Sequence, residues 1–227
     1  NPRAGGAEVV TDKYVSSLAA RGHRVTLFTS RHKGAVSQEA YRGYSIIRRG
    51  NACTVYLHAA MYSLAHRFDV VIDQINTVPF FTPLFVPFSR RKAFVHQLCL
   101  DVWFWELPFL LACIGFAAEI AALQLYRTTP IVTVSQSTRQ DIEKVTGNRH
   151  VIVVENKVDL VARPKLAKKK RQFVFCGRLM RSKRIEDCIR AVSLTSDVVL
   201  YIIGSGESAY VRRLGGLARR LGVSDRI

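Results

Sequence analysis

Short strand-like runs alternate with helix-period patterns along nearly the whole chain, and that alternation limits the fold more than any other feature. Residues 24–29 (RVTLFT), 44–48 (YSIIR), 69–73 (DVVID), 92–96 (KAFVH), 130–134 (PIVTV) and 150–154 (HVIVV) read as strands. Helices are expected over 7–21, 55–66, the part of 103–126 that follows Pro108, and 138–145, the last capped by Ser135. Ala7, Val10, Tyr14 and Leu18 form the apolar stripe of the first helix, and Gly22 ends it. Several strands are apolar throughout, as strands buried on both faces of a parallel sheet are. The fold class is α/β.

A second series follows: strand 173–176, helix 183–194 with Ser182 placed to cap it, strand 197–203 and a helix over about 208–221. Asp225, Arg226 and Ile227 are expected to open a further strand. Between the two series lies a polar, basic stretch with ARPKLAKKK in it, read as a linker. The expected division is a first domain over 1–155, a linker over 156–171 and a second domain over 172–227. A glycine-rich turn before a helix normally follows a strand, so a strand is expected ahead of Asn1. Two strand–helix units are too few for a doubly wound domain, so the second domain is expected to be incomplete.

The chain carries 34 Lys and Arg against 17 Asp and Glu, a net charge of +17. Such an excess attracts polyanions or an anionic membrane surface. No RNP, zinc-finger or helix-turn-helix pattern accompanies the charge, so no nucleic-acid partner is expected. The longest uncharged apolar run, Leu107 to Ala118, is shorter than the roughly 20 residues that cross a bilayer, and Pro108 interrupts it. It reads as a helix that is either buried or touches a membrane. Cys53, Cys99, Cys113, Cys176 and Cys188 show no metal-ligand spacing and read as reduced thiols. With no signal-peptide pattern at Asn1, a cytoplasmic place is expected, peripheral at the inner membrane face.

Four places could carry chemistry. Arg178, Arg181, Lys183 and Arg184 fall between the strand and the helix of FVFCGRLMRSKRIEDCIRA. Cations at a helix N-terminus oppose the helix dipole, and a phosphate or diphosphate would resolve the conflict; the plain alternative is a solvated basic surface. Gly5 and Gly6 open the first helix, where a ligand could approach the backbone or a tight turn could suffice. His96 ends a strand, where it could hydrogen-bond a substrate hydroxyl or simply be a satisfied histidine. Gly204 and Gly206 form another strand-to-helix glycine turn, one unit beyond the basic one, so both could line one crevice.

GGAE, VTVSQSTRQDI, VVENKVDL, GRLMRSKRIED, GSGES and LGVSDRI, in that order, resemble the retaining glycosyltransferases of the GT4 type. The resemblance implies the GT-B architecture: two Rossmann-like parallel-sheet domains facing across a cleft, the second incomplete here. It implies a nucleoside-diphosphate sugar as co-substrate, no other cofactor, no metal, and transfer to an acceptor hydroxyl of a glycan or lipid. Arg178 and Lys183 look like the pair that holds the donor diphosphate and stabilises the leaving group. Gly6 looks like the loop glycine that approaches the donor phosphate, beside Gly5, and His96 is similar to the active-site histidine near the transferred sugar. Gly204 and Gly206 fall on the donor side. The chain departs from the family pattern where Glu155-Asn156-Lys157 replaces a Pro-Asn-Gly turn. The donor-gripping glutamate pair, eight residues apart, is expected beyond Ile227. A GT-B sugar-nucleotide epimerase would share the diphosphate site. A non-catalytic basic anion-binding module, or a fragment without function of its own, would not share the chemistry.

Overall fold

A computed structural model describes residues 5–156 and 171–227. All but the end residues of the expected linker over 156–171 lie outside these. The chain divides into two compact units, Asn1–Cys99 with Ala117–Val158, and Leu100–Phe116 with Asp159–Ile227.

The first unit opens with helix α1, Gly6–Ala20. Strand β1, Thr26–Thr29, follows, and β2, Gln38–Tyr41, leads into β3, Tyr44–Arg48. β1 and β3 pair in parallel, as the α/β pattern requires. β2 is a strand the periodicity does not announce. It pairs antiparallel with β3, and Tyr41 faces Tyr44 across a two-residue turn. Both turn residues, Arg42 (φ 46°) and Gly43 (φ 83°), are left-handed, as a tight hairpin turn demands.

Helix α2 spans Val55–Ala65. Strands β4 (Val71–Ile75), β5 (Arg91–Val95), β6 (Ile131–Thr133) and β7 (Val151–Val153) then form a four-stranded, wholly parallel sheet in that order. Ile75, Ala93, Val95, Tyr126, Ile131, Ile142 and Val151 build its core. One carboxylate is buried there. Asp73 accepts from the Tyr126 hydroxyl at 2.5 Å, the Thr82 hydroxyl at 3.0 Å and the Phe80 amide at 3.1 Å. Burial nevertheless pushes its carboxyl above the usual range. Asn148 is equally buried and ties together the carbonyls of Tyr126 and Thr129 and the His150 amide.

Helices α3 (Val102–Glu106) and α4 (Phe109–Gln124) follow β5 in the chain. The unit boundary falls inside α4, so α3 and the start of α4 belong to the second unit. Trp103 of α3 packs flat on Gly115 of α4, where a side-chain Cβ would come within 2.8 Å of the indole. Helix α5, Gln136–Thr146, is capped as expected by the Ser135 hydroxyl, which accepts from the Thr138 amide at 3.2 Å.

In the second unit, strands β8 (Gln172–Cys176) and β9 (Val199–Ile203) pair in parallel. Helices α6 (Ile185–Ser193) and α7 (Ser208–Arg220) cover one face, with Ile185, Ile189, Leu200, Tyr210 and Leu214 at the centre of the core. Two expectations fail here. Residues 224–226 form a 3-10 turn and open no strand, because Val223 is drawn into the core and the Arg226 amide closes back on its carbonyl. Ser182 caps nothing: it lies in a 3-10 turn, Arg181–Lys183, and Arg184 occupies the cap position in a left-handed conformation. The Ser182 amide instead donates to the Glu106 carboxylate of α3 at 2.9 Å.

Candidate functional site

In the first unit, α1 meets the C-terminal ends of β4 and β5 through Thr11 on Gln74 and the Tyr14 ring 5.3 Å from that of Phe94, at the sheet edge where parallel sheets place their ligands. Gly5 caps α1, and its amide donates to the Glu8 carboxylate at 2.8 Å. Glu8 therefore uses part of the anion-binding capacity of that helix end. Gly6 has open space around it: a Cβ there would meet no atom within 4 Å. The packing of the described residues places no demand on this glycine. Gly6→Ala should leave the melting temperature within about 2 °C of the parent, since alanine suits a first helical turn. It should weaken nucleotide binding about tenfold in calorimetry if a ligand lies against that Cα. Unaltered affinity would show that no ligand comes so close.

His96 directly follows β5, and its amide donates to the Ile75 carbonyl at 2.9 Å, continuing the ladder. Its Nε2 lies 2.6 Å from Gln74 Oε1. With that oxygen as acceptor, Nε2 carries the proton and Nδ1 remains an acceptor. Thr11 Oγ1 reaches the same Gln74 oxygen at 3.2 Å, so α1, β4 and β5 are joined at one point. Burial lowers the His96 pKa, and the nearby Glu8 charge only opposes the shift. The imidazole is thus neutral at pH 7. It can exchange hydrogen bonds with a hydroxyl, and it cannot neutralise a diphosphate.

In the second unit, the loops after β8 and β9 lie back to back. The Gly177 amide donates to Ile203 O at 3.0 Å and the Leu179 amide to Ser205 O at 2.8 Å. A Cβ on Gly204 would fall 1.8 Å from the Gly177 carbonyl oxygen, and one on Gly206 would fall 2.3 Å from that of Leu179. Both glycines therefore hold the two loops in register, a packing duty the bare G-x-G spacing did not reveal.

The loop after β8 carries Arg178, and the 3-10 turn carries Lys183. Both are exposed, and neither has an ion-pair partner among the described residues. The four cations of this turn are not equivalent. Arg184 pairs with Asp187 at 2.5 Å and lies over the Trp105 ring at 5.4 Å. The first turn of α6 also holds Glu186 and Asp187, which satisfy its dipole. Arg178, Arg181 and Lys183 therefore stand ahead of the helix, and of the four cations only Arg184 holds its cap position. The conflict expected from the sequence is smaller, and the cations of this turn without an ion-pair partner among the described residues are Arg178, Arg181 and Lys183. Among the described residues no group of three or more His, Cys, Asp or Glu is placed to hold a metal ion.

The pattern of Glycosyltransferase Family 4 matches residues 4–161. The chain belongs to glycosyltransferase family 4. It is thus a glycosyltransferase domain, with a sugar donor and an acceptor as its substrates in general. Among curated proteins no sequence matches it. The matched span of this family-4 domain contains Gly5, Gly6 and His96 and stops before Arg178, Lys183, Gly204 and Gly206. No described helix is long and apolar enough to cross a membrane.

Gln74, Thr11 and Glu106 escaped the sequence reading. Gln74 left a trace, a polar residue inside the apolar run VIDQI. Thr11 and Glu106 left none, because each acts through contacts distant in the chain.

Proposed function

We propose that this domain transfers a hexosyl group from a nucleoside-diphosphate sugar to a hydroxyl of a glycan or lipid-linked acceptor, with retention and without a metal or further cofactor. The observation that carries the reading is the pair of exposed cations, Arg178 and Lys183, which have no ion-pair partner among the described residues and lie at the C-terminal edge of β8 and β9. In a GT-B division of labour the second unit holds the donor, and the first supplies Gly5, Gly6 and His96. The bond from the anomeric carbon to the diphosphate oxygen breaks, and a bond to the acceptor oxygen forms. The acceptor proton leaves with the diphosphate. Arg178 and Lys183 bind the charge that grows on the departing group, and they do so more strongly in the transition state than before it. Neutral His96 hydrogen-bonds a hydroxyl of the moving sugar. Gly204 and Gly206 act on the donor side by holding the Arg178 loop. The reading places the protein in the cytoplasm, peripheral at the inner membrane face.

Calorimetry of the chain against UDP, GDP, ADP and pyrophosphate at low and high salt tests the donor site. One nucleotide should bind saturably and well above the others, and its binding should survive added salt. Equal, salt-sensitive binding of all four would reduce the site to a basic surface. An epimerase would bind the nucleotide equally well, but would convert the donor sugar without any acceptor.

A further inference from the structure

A second basic site lies in the second unit, and Arg178 is not among the residues that line it. It is a cavity of about 320 Å³ between α3, α6 and α7, walled by Phe104, Trp105, Arg181, Arg184, Arg190 and Arg213. Its carboxylates are already engaged. Asp187 takes Arg184 and also Arg190, the latter at 2.9 Å. Glu186 accepts from the Tyr210 hydroxyl at 2.6 Å. Arg181 and Arg213 have no ion-pair partner among the described residues. Four arginines against two carboxylates leave two positive charges in excess on the wall.

The wall continues into bare apolar surface. The Phe104 ring is 6.0 Å from that of Phe109, at the start of α4. Phe109 is 76% exposed, Leu110 72%, Ile114 59% and Leu111 52%, and Trp105 beside them is 47% exposed. So much contiguous large apolar surface marks a docking site. Its position next to unpaired arginines fits one occupant well. Apolar side chains enter the acyl boundary of a bilayer while flanking cations meet the headgroup phosphates. A second copy of the chain fits poorly, since it would set one positive wall against another on a molecule already at +17.

We propose that α3, the first turns of α4 and the arginine cavity form one membrane-docking surface, with Phe109, Leu110, Leu111 and Ile114 in the acyl boundary and Arg181 and Arg213 on the phosphate of an anionic phospholipid. The proposal rests on the peripheral placement given above and gives it a specific surface, with Arg181 in the same 3-10 turn as Lys183 but on the wall of this cavity. It also gives the helix a role that needs no span across the bilayer.

The two tryptophans of the chain, Trp103 and Trp105, both lie in α3 and report on this surface. The whole chain is sedimented with vesicles of phosphatidylcholine, with and without 30% phosphatidylglycerol (roughly the anionic share at which cationic surfaces bind), while tryptophan emission is followed. Anionic vesicles should bind the chain and shift its emission to the blue, and brominated acyl chains should quench it. Arg181→Gln with Arg213→Gln, and separately Leu110→Gln with Ile114→Gln, should each weaken binding at least tenfold. These positions are at the surface, so circular dichroism should be unchanged. Variants that bind like the parent would overturn this surface and leave the peripheral reading standing. A parent that ignores anionic vesicles would overturn both. Competition by equimolar inorganic phosphate would assign the cavity to a free anion and overturn the lipid proposal. A lipid-free dimer abolished by the Leu110 and Ile114 changes would do the same in favour of self-association.

Discussion

Lys183→Ala should cut turnover by about 10²–10³-fold, the usual loss when one preorganised charge is removed from a developing anion. Lys183 is exposed, and no described residue pairs with it, so no described contact depends on its charge. The melting temperature should therefore hold, and the loss should fall on kcat and kcat/KM together. That is the pattern of an interaction made mainly in the transition state. Arg178→Ala should behave alike. The double variant should lose less than the product of the two, because both act on one leaving group. Release of nucleoside diphosphate, with the nucleotide chosen by the calorimetric screen, measures this directly. Turnover within twofold of the parent would remove Lys183 from the mechanism. Arg190→Ala is the comparison: that cation already has Asp187, and its removal should leave turnover alone.

The parts of this fold that the sequence shows are those set by local pattern. The strand-like runs at 69–73, 92–96 and 197–203 become the parallel strands β4, β5 and β9, each within two residues of the expected bounds, and Ser135 caps α5 through a contact three residues long. The parts it hides are set by distant contacts or by backbone geometry. β2, with the sequence QEAY, has no apolar alternation; it exists because Arg42 and Gly43 turn the chain back along β3. Ser182 has the composition of a cap, yet its amide is taken by Glu106, 76 residues away. The run that begins at Trp103 reads as one helical piece of the first domain. In space α3 and the first turns of α4 go with the second unit, because Trp105 faces Arg184 and Glu106 takes the Ser182 amide. At the candidate site the sequence shows the charges and glycines but not their state. That His96 is neutral depends on burial, and that Arg184 is engaged depends on Asp187 and Trp105.

Gly204→Ala should be among the most disruptive single-methyl changes in the second unit, and it separates the two duties a loop glycine can have. The added Cβ would lie 1.8 Å from the Gly177 carbonyl oxygen and 2.9 Å from its carbon, both backbone atoms with no side-chain freedom to retreat. Relief requires the loop after β8 to move by more than about an ångström, since carbon–oxygen contacts close at roughly 3 Å. Such overpacking typically costs ~1–3 kcal/mol. The shift would break the Gly177 amide bond to Ile203 and the Leu179 amide bond to Ser205, the two contacts that align this loop. Arg178 sits between them. The variant should thus melt several degrees lower, and below that transition its turnover should fall nearly as far as in Arg178→Ala, though residue 204 contributes no charge. Gly215→Ala gives the contrast: a Cβ there meets nothing within 4 Å, and alanine favours the interior of α7, so stability should hold or rise. If Gly204→Ala loses stability but keeps full turnover, the position of Arg178 does not govern transfer. The catalytic assignment of that arginine would then fail even though the account of the packing survived.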